Sequence, residues 1–181
     1  MINKSLIGAV VALGMTAAAQ VQAFDAKTQD AESKATLEKF NKDQPGAKAI
    51  IDSAKGVLVC PSITKGGFII GASGGKCTLY VNHKNVDYYG YKAVKYGFLA
   101  GISSYSMIMV FNDEAALGKF RSNKRKWEAG ADANVAVAKT GAGGVLDTNN
   151  VKGPVVAFVF GEKGLMGDAS LKGGNFKRLD K

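Results

Sequence analysis

"AKGVLVCPSITKGGFIIGASGGKCTLYV", residues 54–81, decides the fold. It holds both cysteines, three lysines and six glycines around two apolar runs. A phosphate loop is excluded: the position that must carry its first glycine is Ile70, and Lys76 is followed by Cys77 instead of Ser or Thr. Glycines at turns and sheet bends are the remaining reading. Val57 to Cys60 is a continuous apolar run stopped by Pro61, as in a strand covered on both faces. "SITKGG" then predicts a turn and "FIIGAS" the return strand. Beyond a break at Gly74-Gly75, Cys77, Leu79 and Val81 share one face, with Thr78 and Tyr80 on the other. "NHKN" turns the chain into the strand "VDYYGY". The stretch reads as a β-meander.

Upstream the period is helical. Residues 25–44 are polar and alanine-rich, with Asp30–Lys34 and Glu38–Lys42 at i,i+4 spacing and a thin apolar stripe, which predicts a partly exposed helix. Pro45 opens a second, amphipathic helix carrying Ala47, Ile50, Ile51 and Ala54, and Gly56 stops it. Downstream, "YGFLAGISSYSMIMVF" (96–111) is one bent strand or two, and Asn112 or Asp113 caps a short helix through Phe120. "VVAFVFG" and "GLMGDASLKG" read as a hairpin. The expected class is α+β: mainly antiparallel β, barrel-like or sandwich, with many short glycine-rich strands, N-terminal helices and one mid-chain helix. All six tyrosines fall between Tyr80 and Tyr105, and adjacent Tyr88 and Tyr89 must point to opposite faces of a strand.

At 181 residues the chain suits one domain, and its net charge of +9 favours anionic partners. Residues 1–23 read as a signal peptide: Lys4, an apolar run too short to span a bilayer, and Val21-Gln22-Ala23 as a cleavage site. The expected product is a single domain over 24–181, periplasmic or secreted, with no transmembrane span.

"PGAKAIIDSAKGVLVCPSITKGGFIIG", "ISSYSMIMVFNDEAALGKF" and "GLMGDASLKG", in that order, resemble the SYLF domain family from about Lys34 onward. The resemblance implies a lipid-binding module, not an enzyme, that recognises anionic phospholipid headgroups at the cell envelope. Some members also bind actin, a partner the export signal argues against. The alternative is a structural or protein-interaction module of the periplasm or cell surface. The chain departs from the family pattern at Cys60 and Cys77. In an exported protein such a pair suggests a disulfide between neighbouring strands, against the alternative of two buried free thiols.

Catalytic, cofactor and metal sites are not expected. His83 is the lone histidine, in a turn, and no nucleophile motif surrounds any Ser or Cys. Nucleic acid is not an expected partner, since no binding motif accompanies the charge. The densest basic cluster, "KFRSNKRKW", supplies candidate headgroup ligands Lys119, Arg121, Lys124, Arg125 and Lys126, with Trp127 at the interface. The competing reading makes it a solvated helix end with Trp127 in the core. Lys65, in the turn expected between the first two strands, is a second candidate.

Overall fold

The structure is a computed structural model and describes residues 24–67, 69–96, 101–123, 126–139, 152–163 and 171–180. The expected signal peptide, residues 1–23, lies outside the described residues, as does residue stretch 164–170 of the expected last hairpin. Two helices, α1 (Ala26–Asp43) and α2 (Pro45–Ser53), precede four long strands: β1 (Gly56–Gly67), β2 (Ile70–Val81), β3 (Lys84–Tyr96) and β4 (Gly101–Phe111). After α3 (Glu114–Ser122) come β5 (Trp127–Glu128), β6 (Val135–Lys139), β7 (Val155–Lys163) and β8 (Asn175–Arg178). They form one eight-stranded sheet in the order β5-β8-β3-β2-β1-β4-β7-β6, antiparallel except for β6 with β7. The order β3-β2-β1-β4 is a Greek key. The expected α+β class holds.

The first four strands are longer than the sequence suggested. β1 does not stop at Pro61, and "SITKGG" is not a turn: Ile63 to Gly67 pair with β2 on one side and β4 on the other. Both pairings shift register across Pro61-Ser62, the signature of a bulge. A bulge is where a central strand can hold a residue without an N–H. Ser106 Oγ donates to the Pro61 carbonyl at 2.7 Å, so the displaced backbone is satisfied. Opposite it, a Cβ on Gly75 would stand 2.6 Å from the Ser62 carbonyl oxygen, so only glycine fits that crossing. Gly74-Gly75 therefore serves the bulge, and β2 runs through it unbroken.

The sheet is covered on both faces where the apolar runs lie. Its inner face carries Leu58, Ile63, Leu79, Tyr89, Tyr91, Met107 and Phe111, closed by Leu117 and Phe120 of α3, Trp127 and Phe176. The outer face carries Val57, Val59, Ile108, Val110, Val156 and Phe158 beneath Phe40, Ala47 and Ile51 of the N-terminal helices. β1 thus places alternate residues in two cores, as its continuous apolar run requires. Tyr88 and Tyr89 do face opposite ways, yet both are buried: Tyr89 packs on Phe120, and Tyr88 beneath Phe24 with its hydroxyl donating to Asp30. Helix α1 docks by polar groups. Its buried positions include Gln29 and Ser33, and Ser33 hydrogen-bonds Thr78 at 2.8 Å while Gln29 reaches the Lys76 carbonyl. The Asp113 cap, accepting from Ala116 N–H at 2.6 Å, and the Asn82-His83 turn with two positive φ angles form as the sequence indicates.

Cys60 and Cys77 form a disulfide between β1 and β2, fully buried, with Cα atoms 4.1 Å apart. It stands directly beside the bulge and pins the register there. Closing a loop across a separation of 17 residues contributes about 3 kcal/mol in the chain-entropy account. Reduction under denaturing conditions, or the Cys60→Ala/Cys77→Ala pair, is expected to lower the melting temperature by several degrees. Two titratable thiols in the unreduced, denatured protein would refute the bond.

Burial pushes the Tyr80 and Tyr89 hydroxyls up to about 12, and Tyr91, deeper and bonded to Tyr105, higher still. An unfolded tyrosine titrates near 10. The folded values are raised, so the stability tied to these neutral phenols is complete below about pH 10 and is lost as pH rises towards 12. An alkaline titration followed at 295 nm is expected to show the buried tyrosines ionising only together with loss of circular dichroism. Full ionisation of all six in a folded protein would contradict this packing.

Candidate functional site

The described members of the basic cluster, Lys119, Arg121, Lys126 and Trp127, do not share one environment. Lys119 stands exposed on α3. Arg121 is drawn inward to Asp87, 3.6 Å away on β3, and Arg178 of β8 bonds the other oxygen of the same carboxylate. Asp87 is buried, so this bridge fastens α3 and β8 to the middle of the sheet. Lys126 lies 3.5 Å from Glu128, and Lys124 and Arg125 fall outside the described residues. Trp127, expected at an interface, is in the core at 1% exposure, edge-on to Phe120 and Phe176 with ring centres 5.2 and 5.7 Å away. An aromatic dock forms around Phe120, and the indole completes it. Lys65 is likewise not in a turn. It lies within β1 between Ser73 and Ser103, buried on the inner side of the strands.

A different surface stands out. Where the helices end, no other described element covers the outer face of β1–β4. One row across it runs Ile102–Gly66–Ala72–Val94, and the next Ser104–Thr64–Gly74–Lys92. Ile102 and Val94 are 81% and 60% exposed, and Ile69 and Ile70, at the head of the β1–β2 hairpin, 74% and 54%. Four of the five large apolar residues exposed among the described ones therefore gather at one end of the sheet. Solvated antiparallel faces are ordinarily polar, so an apolar group of this kind marks a contact surface. Gly67 lets the hairpin turn so tightly that a Cβ there would stand 2.2 Å from the Ile70 carbonyl, which holds the isoleucine pair at the extremity. From Gly56 to Asn112 the sole carboxylate is Asp87, already buried between two arginines, whereas the same span carries five lysines.

This apolar end lies at the start of β4, whereas α3 follows its last residue, and the eleven residues of the strand span about 33 Å. Sequence reasoning found the charge density and missed the isoleucines, because alternation alone does not tell which outer positions a helix will cover. The available signal was the conjunction of "GGFII" with an acid-free stretch. Among the described residues no helix is long and apolar enough to cross a membrane, and no group of three His, Cys, Asp or Glu could hold a metal.

Residues 92–180 match the family model described as Ysc84, Las17-binding protein actin regulator. Over 144 residues the chain is 30% identical to beta cell expansion factor A of Aeromonas veronii, an alignment covering 78% of this chain and 52% of that protein. The chain thus spans about half the length of the curated relative it matches.

Removing both Asp87 partners, by Arg121→Ala with Arg178→Ala, leaves a buried carboxylate uncompensated. It is expected to cost at least about 3 kcal/mol in denaturant unfolding. Lys119→Ala should stay within about 0.5 kcal/mol of the parent. Equal costs would mean that Asp87 is not the fastening described here.

Proposed function

Over residues 92–180 this chain matches the SYLF (Ysc84) family, and on that premise we propose that it is an exported, non-enzymatic protein that binds anionic phospholipid surfaces peripherally. The family's association with lipids and actin regulation gives the general class. The reading rests above all on the apolar sheet end, where Ile69, Ile70, Val94 and Ile102 project from strands without an exposed carboxylate. Burying an isoleucine side chain stabilises by roughly 1.5–3 kcal/mol, and each lysine near an anionic surface adds about 1 kcal/mol. Both contributions suit shallow insertion among acidic headgroups, with Lys92 on the same face. Lys119 of α3 and the cations that follow the helix in sequence, Lys124, Arg125 and Lys126, then act as a separate, longer-range attraction, screened within about 8 Å at physiological ionic strength.

Co-sedimentation with phosphatidylglycerol vesicles tests the proposal against phosphatidylcholine vesicles. Wild type is expected on the former alone. Ile69→Asp with Ile102→Asp should weaken binding at least tenfold at every salt concentration, whereas Lys124→Glu, Arg125→Glu and Lys126→Glu together should weaken it mainly at low salt. An unaltered melting temperature in both sets is the control for folding. An isoleucine variant that binds like wild type moves the contact surface elsewhere. Wild type that ignores every anionic vesicle favours the alternative, a protein partner for the same face.

A further inference from the structure

Behind the apolar end, the same outer face carries three exposed lysines that come from distant parts of the chain. Along β3 the outward positions run Val94, Lys92, Gly90 and Tyr88. Gly90 stands opposite Lys76 of β2 on one side and Lys177 of β8 on the other. Its neighbours Tyr89 and Tyr91 point into the inner core, against Cys77 and Phe176, which turns Lys76 and Lys177 outward. Strands lie about 4.8 Å apart, so the backbones of Lys76 and Lys177 flank Gly90 with about 10 Å between them, and Lys92 follows about 7 Å along β3.

Glycines keep the space between these side chains open. A Cβ on Gly90 would meet Leu179 Cδ2 at 3.4 Å and the Lys177 carbonyl at 3.9 Å, and one on Gly74, opposite Lys92, only the Tyr91 carbonyl at 3.7 Å. Lysine and glycine thus alternate crosswise on β2 and β3. Among the described residues no ion pair engages Lys76, Lys92 or Lys177. Glu128 of β5, two strands from Lys92 in the same row, is paired with Lys126 at 3.5 Å. Asp25 accepts from Lys27 N–H in the cap of α1. Lys76 Nζ lies 5.3 Å from the centre of the Phe24 ring, a contact that orients the side chain and leaves its donors unused. Three like charges therefore converge on one gap without a counter-charge.

We infer that Lys76, Lys92 and Lys177 form a site for a phosphomonoester, on a lipid headgroup or free in solution, seated over Gly90. A phosphomonoester carries a charge of about −1.5 to −2 at pH 7 and presents three acceptor oxygens. Ammonium groups are compact point charges with rotatable donors, so three of them around a gap select by charge and number of acceptors. A carboxylate or a phosphodiester brings a single charge and leaves two ammoniums uncompensated. The lipid form of the inference rests on the peripheral-binding proposal and names the headgroup for it. Lys92 stands one row behind Val94, and Lys76 and Lys177 a second row, about 7 and 14 Å back along the strands. An apolar end inserted by about 5–10 Å brings these rows to the level of the phosphates.

The test pairs two measurements. Co-sedimentation compares vesicles containing phosphatidic acid with vesicles containing phosphatidylglycerol at matched surface potential. Amide NMR follows Gly74 and Gly90 during titration with glycerol 3-phosphate and, separately, glycerophosphoglycerol. Binding to phosphatidic acid at least fivefold tighter than to phosphatidylglycerol is expected, and saturable shifts of both glycine amides with the monoester alone. Lys76→Ala, Lys92→Ala and Lys177→Ala together should erase the preference and the shifts at unchanged melting temperature. Lys39→Ala, Lys48→Ala and Lys55→Ala, removing the same charge from ion pairs elsewhere, should keep both. Shifts without a lipid preference assign the site to a free phosphomonoester, and a lipid preference without shifts assigns it to the headgroup. Shifts without binding to any vesicle overturn the membrane reading alone. Vesicle binding with neither signal overturns this site alone, as would survival of the signals in the Lys76, Lys92 and Lys177 variant or their equal loss in the charge-matched one.

Discussion

The sheet hangs on how its central strand accommodates Pro61. A strand bonded on both sides cannot lose an N–H from the ladder without a device to absorb it, and β1 uses a bulge shared by both neighbours. The bulge changes which residues face which way. Before it, Val57 and Val59 look outward to the helices; beyond it Ile63 and Lys65 look inward, and Thr64 and Gly66 outward. Three further features converge there: the absent side chain of Gly75, the Ser106 hydroxyl on the Pro61 carbonyl, and the Cys60–Cys77 bond one residue away. Each is individually modest. Together they leave a single register for four strands.

That register divides the outer face into two chemistries. Under α2 and the end of α1 it is apolar, giving way beneath the start of α1 to the hydroxyls of Thr78 and Tyr88; past the bulge it is built of Gly, Ala, Ser and Thr with Lys92 at one side, and isoleucine and valine stand above them. A cleft lined by Asp30, Glu38 and Asp52 lies at the helical end and the acid-free, apolar surface at the other. Charge is therefore segregated along the strands, and the overall excess of lysine conceals it.

Much of the fold could be read from local signals. Pro45 at a helix start, Asp113 as a cap, the Asn82-His83 turn and the unbroken Val57–Cys60 run are each settled by neighbours in sequence. What local signals mistook was the role of glycine and proline in β1 and β2. Pro61 and Gly74-Gly75 look like stops, but they are complementary parts of one crossing between strands, a relation invisible until the register is known. The site was less legible for the same reason. Trp127 beside five cations resembles an interfacial anchor, yet Phe120 and Phe176 form a dock for it from α3 and β8. Lys65 seemed to occupy a loop only because the loop was misplaced. Lys76, Lys92 and Lys177 come together through tertiary pairing alone.

Strand β8 lies between β3 and β5, its Arg178 opposite Tyr89. Among the described residues β5 has no other strand partner. The hairpins β1–β2 and β2–β3 close over short loops and are cheap to form early, but this pairing joins positions almost ninety residues apart. The inner aromatic cluster of Tyr91, Phe120, Trp127 and Phe176 is complete only with β8 in place. The largest loop-closure entropy in the sheet therefore falls on the C-terminal strand, the one whose aromatic ring completes the core.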